Sequence, residues 1–146
     1  MLLMYLLDTN ICIYAIKKRS PRVIEKISEN LTEGIYISSL TIAEMEYGIS
    51  NSMYPERNRI SLLEFISIFD ILDFTEHDTI PYGMLKVDLK RLGRLIGPID
   101  MLLAGQAIAN NLTRSDPAGQ RSARHRDLPG PAPEDPHRPT LTAPSA

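Results

Sequence analysis

Three acids in this chain stand in comparable surroundings: Asp8 in "LLDTN", Glu44 in "SSLTIAEMEYG" and Asp100 in "GPIDMLLAGQA". Asp8 closes an apolar run that starts at Met1. Glu44 lies one turn into a helical stretch that follows a β-branched run, and Asp100 falls in the first turn of a helix rich in small residues. Each has a bland reading alone: Asp and Asn end strands and cap helices, a helix-start acid is favoured by the macrodipole, and Glu44 suits a solvated helix face. Their shared placement argues for more. Each follows a strand or loop and stands near a helix N-terminus, so all three can gather at the sheet edge where open α/β folds keep their ligands. Asp100 is the most telling, because Ile99, Met101, Leu102 and Leu103 around it are apolar. Such an acid faces water at a rim or is held by a partner, since burying an uncompensated charge is costly.

Clustered carboxylates without nearby Cys or His offer hard oxygen ligands, which suit Mg²⁺ or Mn²⁺ and not Zn²⁺. His77, His125 and His137 have no metal-ligand spacing. A carboxylate-bound Mg²⁺ supports in-line attack of water on a phosphodiester. Two acids could also work on a sugar, but Trp is absent and no aromatic platform is evident. Phosphodiester hydrolysis fits better. A phosphatase-like or nucleotide-binding module is a further alternative, and its usual marks, G-x-G-x-x-G and G-x-x-x-x-G-K-[ST], do not occur.

Composition narrows the partners. The 146 residues suffice for one domain with a real core. With 16 Lys+Arg against 18 Asp+Glu the net charge is -2, so nucleic acid would be held by a local site and not by bulk charge. The single cysteine, Cys12, excludes a disulfide framework and reads as a small core hydrophobe, which makes the reducing cytoplasm the expected location. The opening "MLLMYLLDTN" is too short to span a bilayer and lacks a basic n-region, so no membrane role is expected.

The elements that must position the acids alternate. Residues 2–7 read as an apolar strand and 11–17 as a short helix begun by Thr9 and Asn10. A second helix runs through "SPRVIEKISENL", capped by Ser20 with Pro21 in its first turn. Residues 34–38 form a strand, followed by helices through "TIAEMEYGIS" and "ERNRISLLEFISIF". Residues 70–74 form a third strand. Residues 75–94 are largely helical, with Pro81 starting or kinking a segment, and "GPIDMLLAGQAIANN" is the last helix. Strands of near-continuous apolar residues alternating with helices predict an α/β fold, a parallel sheet with helices on both faces. "KKRS" at 17–20 and "LKRLGRL" at 89–95 read as solvated faces that could also meet phosphates. Tyr47 and Tyr82 could stack on bases, although packing is the simpler reading for both.

After "NNL" a core strand is due, yet composition breaks near Thr113. Residues 114–146 hold no Ile, Val, Phe, Tyr, Met or Lys and carry 7 of the chain's 11 Pro. The predicted organisation is therefore a domain over 1–113 and a disordered tail over 114–146.

The order "LLDTN", "ISSLTIAEMEYG", "IGPIDMLLAGQA" resembles the PIN domains of VapC-type toxins, including the FitB-like branch, over residues 1–113. The resemblance implies a PIN-like sheet and a Mg²⁺- or Mn²⁺-dependent endoribonuclease acting on structured cytoplasmic RNA of the tRNA or rRNA class. It also implies a cognate antitoxin, a homodimer, and a toxin–antitoxin complex that represses its own operon. By position, Asp8, Glu44 and Asp100 match the family's first three acids, and Thr9 its hydroxyl neighbour. Asp8 and Asp100 would ligate the metal, with Glu44 in its shell or positioning the water. The family then continues with a core strand and a fourth acidic or amide position. Here "TRSDPAGQR" stands instead, and Asp116, followed by Pro117, is not taken as that ligand. The expectation is a last strand missing or replaced, through a frame change near Thr113, which the gene's other reading frames would reveal. An open sheet edge would then weaken or abolish cleavage. The alternative is a homologue that engages an antitoxin without cutting.

Overall fold

The computed structural model describes residues 4–18, 21–31 and 34–115. In chain order the elements are β1 (Tyr5–Leu7), α1 (Thr9–Ile16), α2 (Pro21–Asn30), β2 (Ile35–Ser38), α3 (Ser39–Ser50), α4 (Pro55–Ile66), β3 (Asp70–Leu72), α5 (Glu76–Arg91), α6 (Pro98–Ala109) and β4 (Thr113–Ser115). The four strands form one sheet in the order β3-β2-β1-β4, and every pairing is parallel. The α/β fold expected from the alternation is the one observed.

Side-chain alternation along the strands divides the interior into two layers. Leu7, Ile35 and Ile37 join Ile11, Cys12, Ile27, Met45 and Leu62 on the face covered by α1 to α4. Leu6, with Tyr36 packed beside it, meets Leu103 and Ala107 of α6 on the other face. Helix α5 lies against α6, and the two approach closely where a Cβ on Gly105 would stand 2.7 Å from the Tyr82 Cα. Only glycine permits that contact. Pro81 neither starts nor ends a segment but sits in the second turn of α5.

The expectation of a last strand missing or replaced meets a fourth strand, built from polar residues where an apolar one was due. Helix α6 ends in a Schellman turn, with Asn111 at φ 54, the Leu112 N–H on the Ala107 carbonyl at 2.8 Å and the Asn111 N–H on that of Ile108 at 3.3 Å. The reversal delivers Thr113–Ser115 alongside β1 in the register Tyr5↔Thr113, Leu6↔Arg114, Leu7↔Ser115. A parallel ladder is made by main-chain groups alone. The polar "TRS" therefore closes this side of β1, which an argument from apolar side chains overlooked. The expectations for residues 116–146, like the Ser20 cap, lie outside the described residues. Among the described residues no helix is long and apolar enough to cross a membrane.

Candidate functional site at the carboxyl edge of the sheet

Strand order creates the site's location. The chain runs from β1 through β2 to β3 on one side, then returns to place β4 on the other side of β1. A crevice beyond the carboxyl ends of the strands belongs at such a switch point, and Asp8 directly follows β1 there. Its backbone is extended, at φ -83 and ψ 167, and its Oδ1 accepts the Ile11 N–H at 2.9 Å. Asp8 is thus the N-cap of α1, which is why that helix starts at Thr9. The cap reading and the site reading coexist, because capping leaves a carboxylate at a helix N-terminus, the end that favours negative charge.

The other acids reach the same edge by different routes. Helix α3 begins without a loop after β2: Ser38 accepts the Leu40 N–H at 3.1 Å, and Ser39 Oγ accepts the Phe74 N–H at 3.2 Å beyond β3. One turn on, half-buried Glu44 takes a hydrogen bond on Oε2 from Thr9 Oγ1. That bond joins the residue after Asp8 to α3 across 35 positions of sequence. Asp100 is exposed in the first turn of α6, its Oδ2 lying 3.4 Å from the point a Cβ on Gly97 would occupy. Ile99 beside it packs in the same cluster as Leu40 and Leu72, which mark the carboxyl ends of β2 and β3. All three acids therefore stand on one edge, Asp8 buried, Glu44 half-buried and Asp100 exposed.

The donor chemistry suits a hard divalent ion. Among the described residues no three His, Cys, Asp or Glu side chains stand close enough to hold one as a set. Mg²⁺ does not require such a cage: it keeps several waters and takes one or two carboxylates together with substrate phosphates. The acids fit it in kind, as hard oxygen donors. Cys12, fully buried behind Asp8, is no ligand candidate, since burial first and the Asp8 charge second push its thiol far above the ordinary range.

Glu44 also borders a groove of about 430 Å³ between α1, α3 and α4, lined by Ile13, Met45, Ile49 and Leu62 with the cations Lys17 and Arg57. Lys17 belongs to the first basic run singled out in the sequence. Arg57 was missed, because its place in the groove depends on how α4 packs. Lys90 and Arg91 of the second run are in the last turn of α5 and do not line the groove. Sequence reasoning also missed Asp78, 1% exposed, which accepts the Thr75 N–H at 2.8 Å and Asn110 Nδ2 at 2.9 Å. The T-x-x-D spacing of a capping box signals the first bond. Nothing local signals the second.

The sequence profile of the PIN domain matches residues 5–114. A Rickettsia felis protein, "Ribonuclease VapC2", is 42% identical over 114 residues, covering 76% of this chain and 84% of the relative. A Shigella flexneri protein, "tRNA(fMet)-specific endonuclease VapC", is 39% identical over 112 residues, covering 76% and 83%. Among solved structures, VapBC2 from Rickettsia felis bound to a DNA fragment from its promoter superposes with a TM-score of 0.73 at 39% identity, covering 77% of this chain and 86% of that one.

Proposed function

The chain belongs to the PIN-domain family, as a VapC-type toxin, and from that premise we propose that it is a Mg²⁺- or Mn²⁺-dependent endoribonuclease. The observation that carries the proposal is the assembly at one sheet edge: Asp8 at the switch point, Glu44 tied to it through Thr9, and Asp100 on α6. Asp8 and Asp100 would hold the ion. When bound, Mg²⁺ polarises the phosphodiester and makes its bound water more acidic. Thr9 fixes Oε2 of Glu44 and so orients the remaining oxygen toward the attacking water, whose proton Glu44 accepts. Lys17 and Arg57, in the groove beside Glu44, supply charge to neighbouring phosphates.

The substrate class is structured cytoplasmic RNA, tRNA first, by extension from the relative named for tRNA(fMet). The partner is an antitoxin, as in the VapBC complexes that this chain resembles. Ile80, Met84 and Val87 form an exposed apolar stripe along α5 that supports a homodimer. Weakened activity was expected from an open sheet edge; β4 covers β1 but is itself the outer strand, so the strength of cleavage is what the assay decides.

The test is RNA cleavage by the full chain with Mg²⁺, with Mn²⁺ and with chelator, beside thermal melts under the same conditions. A folded site predicts cleavage abolished by chelator and a melting temperature that rises with Mn²⁺, because the bound ion adds RT ln(1 + [L]/Kd) to the stability of the native state. Asp100→Asn should blunt both effects. The second reading, antitoxin binding without cleavage, draws on the absence of a three-acid set among the described residues. It predicts complex formation with no RNA loss and no response to either ion.

A further inference from the structure

Tyr47 is 76% exposed, contrary to the packed role the sequence favoured. It lies three residues beyond Glu44 on α3, and residues three apart are surface neighbours on a helix. The two flanks of Glu44 differ. On one, Met45, Gly48 and Ile49 line the groove shared with α1 and α4. On the other lie Leu40 and Tyr47, seven residues apart and so nearly on one stripe. Leu40 packs in the same cluster as Ile99 of α6, so that stripe is the side of α3 turned toward the helix carrying Asp100. Tyr47 thus displays its ring in solvent, beside one candidate acid and on the side facing another. Of the other aromatics, Phe65 and Phe69 pack together, Tyr5 and Tyr36 pack against the core and Tyr82 lies beneath Gly105. Tyr54 and Tyr14 are also exposed, at 62% and 39%, but neither stands within one helical turn of a candidate acid on its own helix.

We propose that Tyr47 is a substrate-stacking residue whose ring takes a nucleobase flanking the phosphodiester held at the acid edge. The inference rests on the ribonuclease reading above. Unpaired RNA bases are commonly held on aromatic rings, and such stacking tolerates any base. The ring would fix the strand's position relative to Asp8, Glu44 and Asp100 without entering the chemistry.

The experiment compares the full chain with Tyr47→Ala, Tyr47→Phe and Tyr47→Trp on a tRNA carrying 2-aminopurine in an unpaired loop, read by cleavage kinetics, fluorescence and elution volume. Tyr47→Ala should raise KM roughly tenfold while kcat stays within about twofold. It should lose the stacking quench of the fluorophore and keep the parent's melting temperature, and Phe and Trp should restore both KM and quench. An unchanged KM in Tyr47→Ala overturns the inference, as does failure of Phe to rescue, which would point to the hydroxyl. A changed oligomeric size in Tyr47→Ala also overturns it, by assigning the ring to an interface between copies. If the parent binds and cuts the probe, these outcomes judge Tyr47 alone. If the parent neither binds nor cuts it, the ribonuclease reading falls and this inference with it.

Discussion

Asp8 and Asp78 are both buried, at 6% and 1% exposure, yet their surroundings differ in kind. Asp78 is enclosed by donors from two helices: the Thr75 N–H and hydroxyl before α5, and the Asn110 amide at the end of α6. Gln106 extends the junction, its Nε2 donating to the Leu72 carbonyl at 3.2 Å. Asp8 caps a helix at the sheet's carboxyl edge, next to a residue bonded to Glu44 and on the same edge as Asp100. One acid joins elements, and the other stands at the sheet edge proposed as the site. Burial alone therefore does not mark chemistry; the company a carboxylate keeps separates scaffold from site.

The sharpest division between the two comes from replacing each. Asp8→Asn keeps an acceptor for the Ile11 N–H, so the fold should persist while metal-dependent RNA cleavage falls by on the order of 10²-fold or more. Asp78→Ala should do the opposite. It removes the acceptor of the part-buried Thr75 N–H and of the Asn110 amide, which keeps its bond to the Gln106 carbonyl, and should cost about 2 kcal/mol, lowering Tm by about 7 °C for a chain of this size. Its cleavage rate well below the melt should match the parent's. Unfolding of Asp8→Asn together with a parental melt for Asp78→Ala would reverse the comparison.

A smaller effect is expected at Thr9. Thr9→Val keeps the shape and removes the donor to Glu44, which should slow kcat by about fivefold, the worth of about one hydrogen bond. Thr9→Ser should restore the parental rate, and equal rates for Val and Ser would detach Thr9 from the mechanism. The smallest effect concerns Cys12. Its thiol, held protonated by burial and then by the Asp8 charge, should resist Ellman's reagent in the native state and react once on unfolding. Because the folded thiol's pKa is raised, its contribution to stability is whole below the unfolded value of about 8.5 and declines as pH rises beyond it. Rapid labelling of the native protein would show that the wall behind Asp8 is open.

Much of this was legible in the sequence because the signals are local. Apolar runs of strand length announced β1 and β2, Pro98 and the Asn pair after Ala109 bracketed α6, and each acid sat a fixed distance from an element boundary. The start of α1 at Thr9 was also readable, since Asp8 is an N-cap type. That the acids share an edge followed from the alternation of strand and helix, because parallel strands put all their carboxyl ends on one side.

The sequence by itself determined which residue types stand at which element ends, since period, caps and turns act over a few residues. Only the tertiary structure decided who meets whom. The Thr9–Glu44 and Asp78–Asn110 bonds span 35 and 32 positions, and neither leaves a trace in local spacing. That position 105 must be glycine follows only from Tyr82 lying against it. Tyr47 is in solvent because α3 turns that stripe outward beyond Leu40. And β4 forms from polar residues because β1 offers a main-chain edge, which backbone hydrogen bonds satisfy whatever the side chains are.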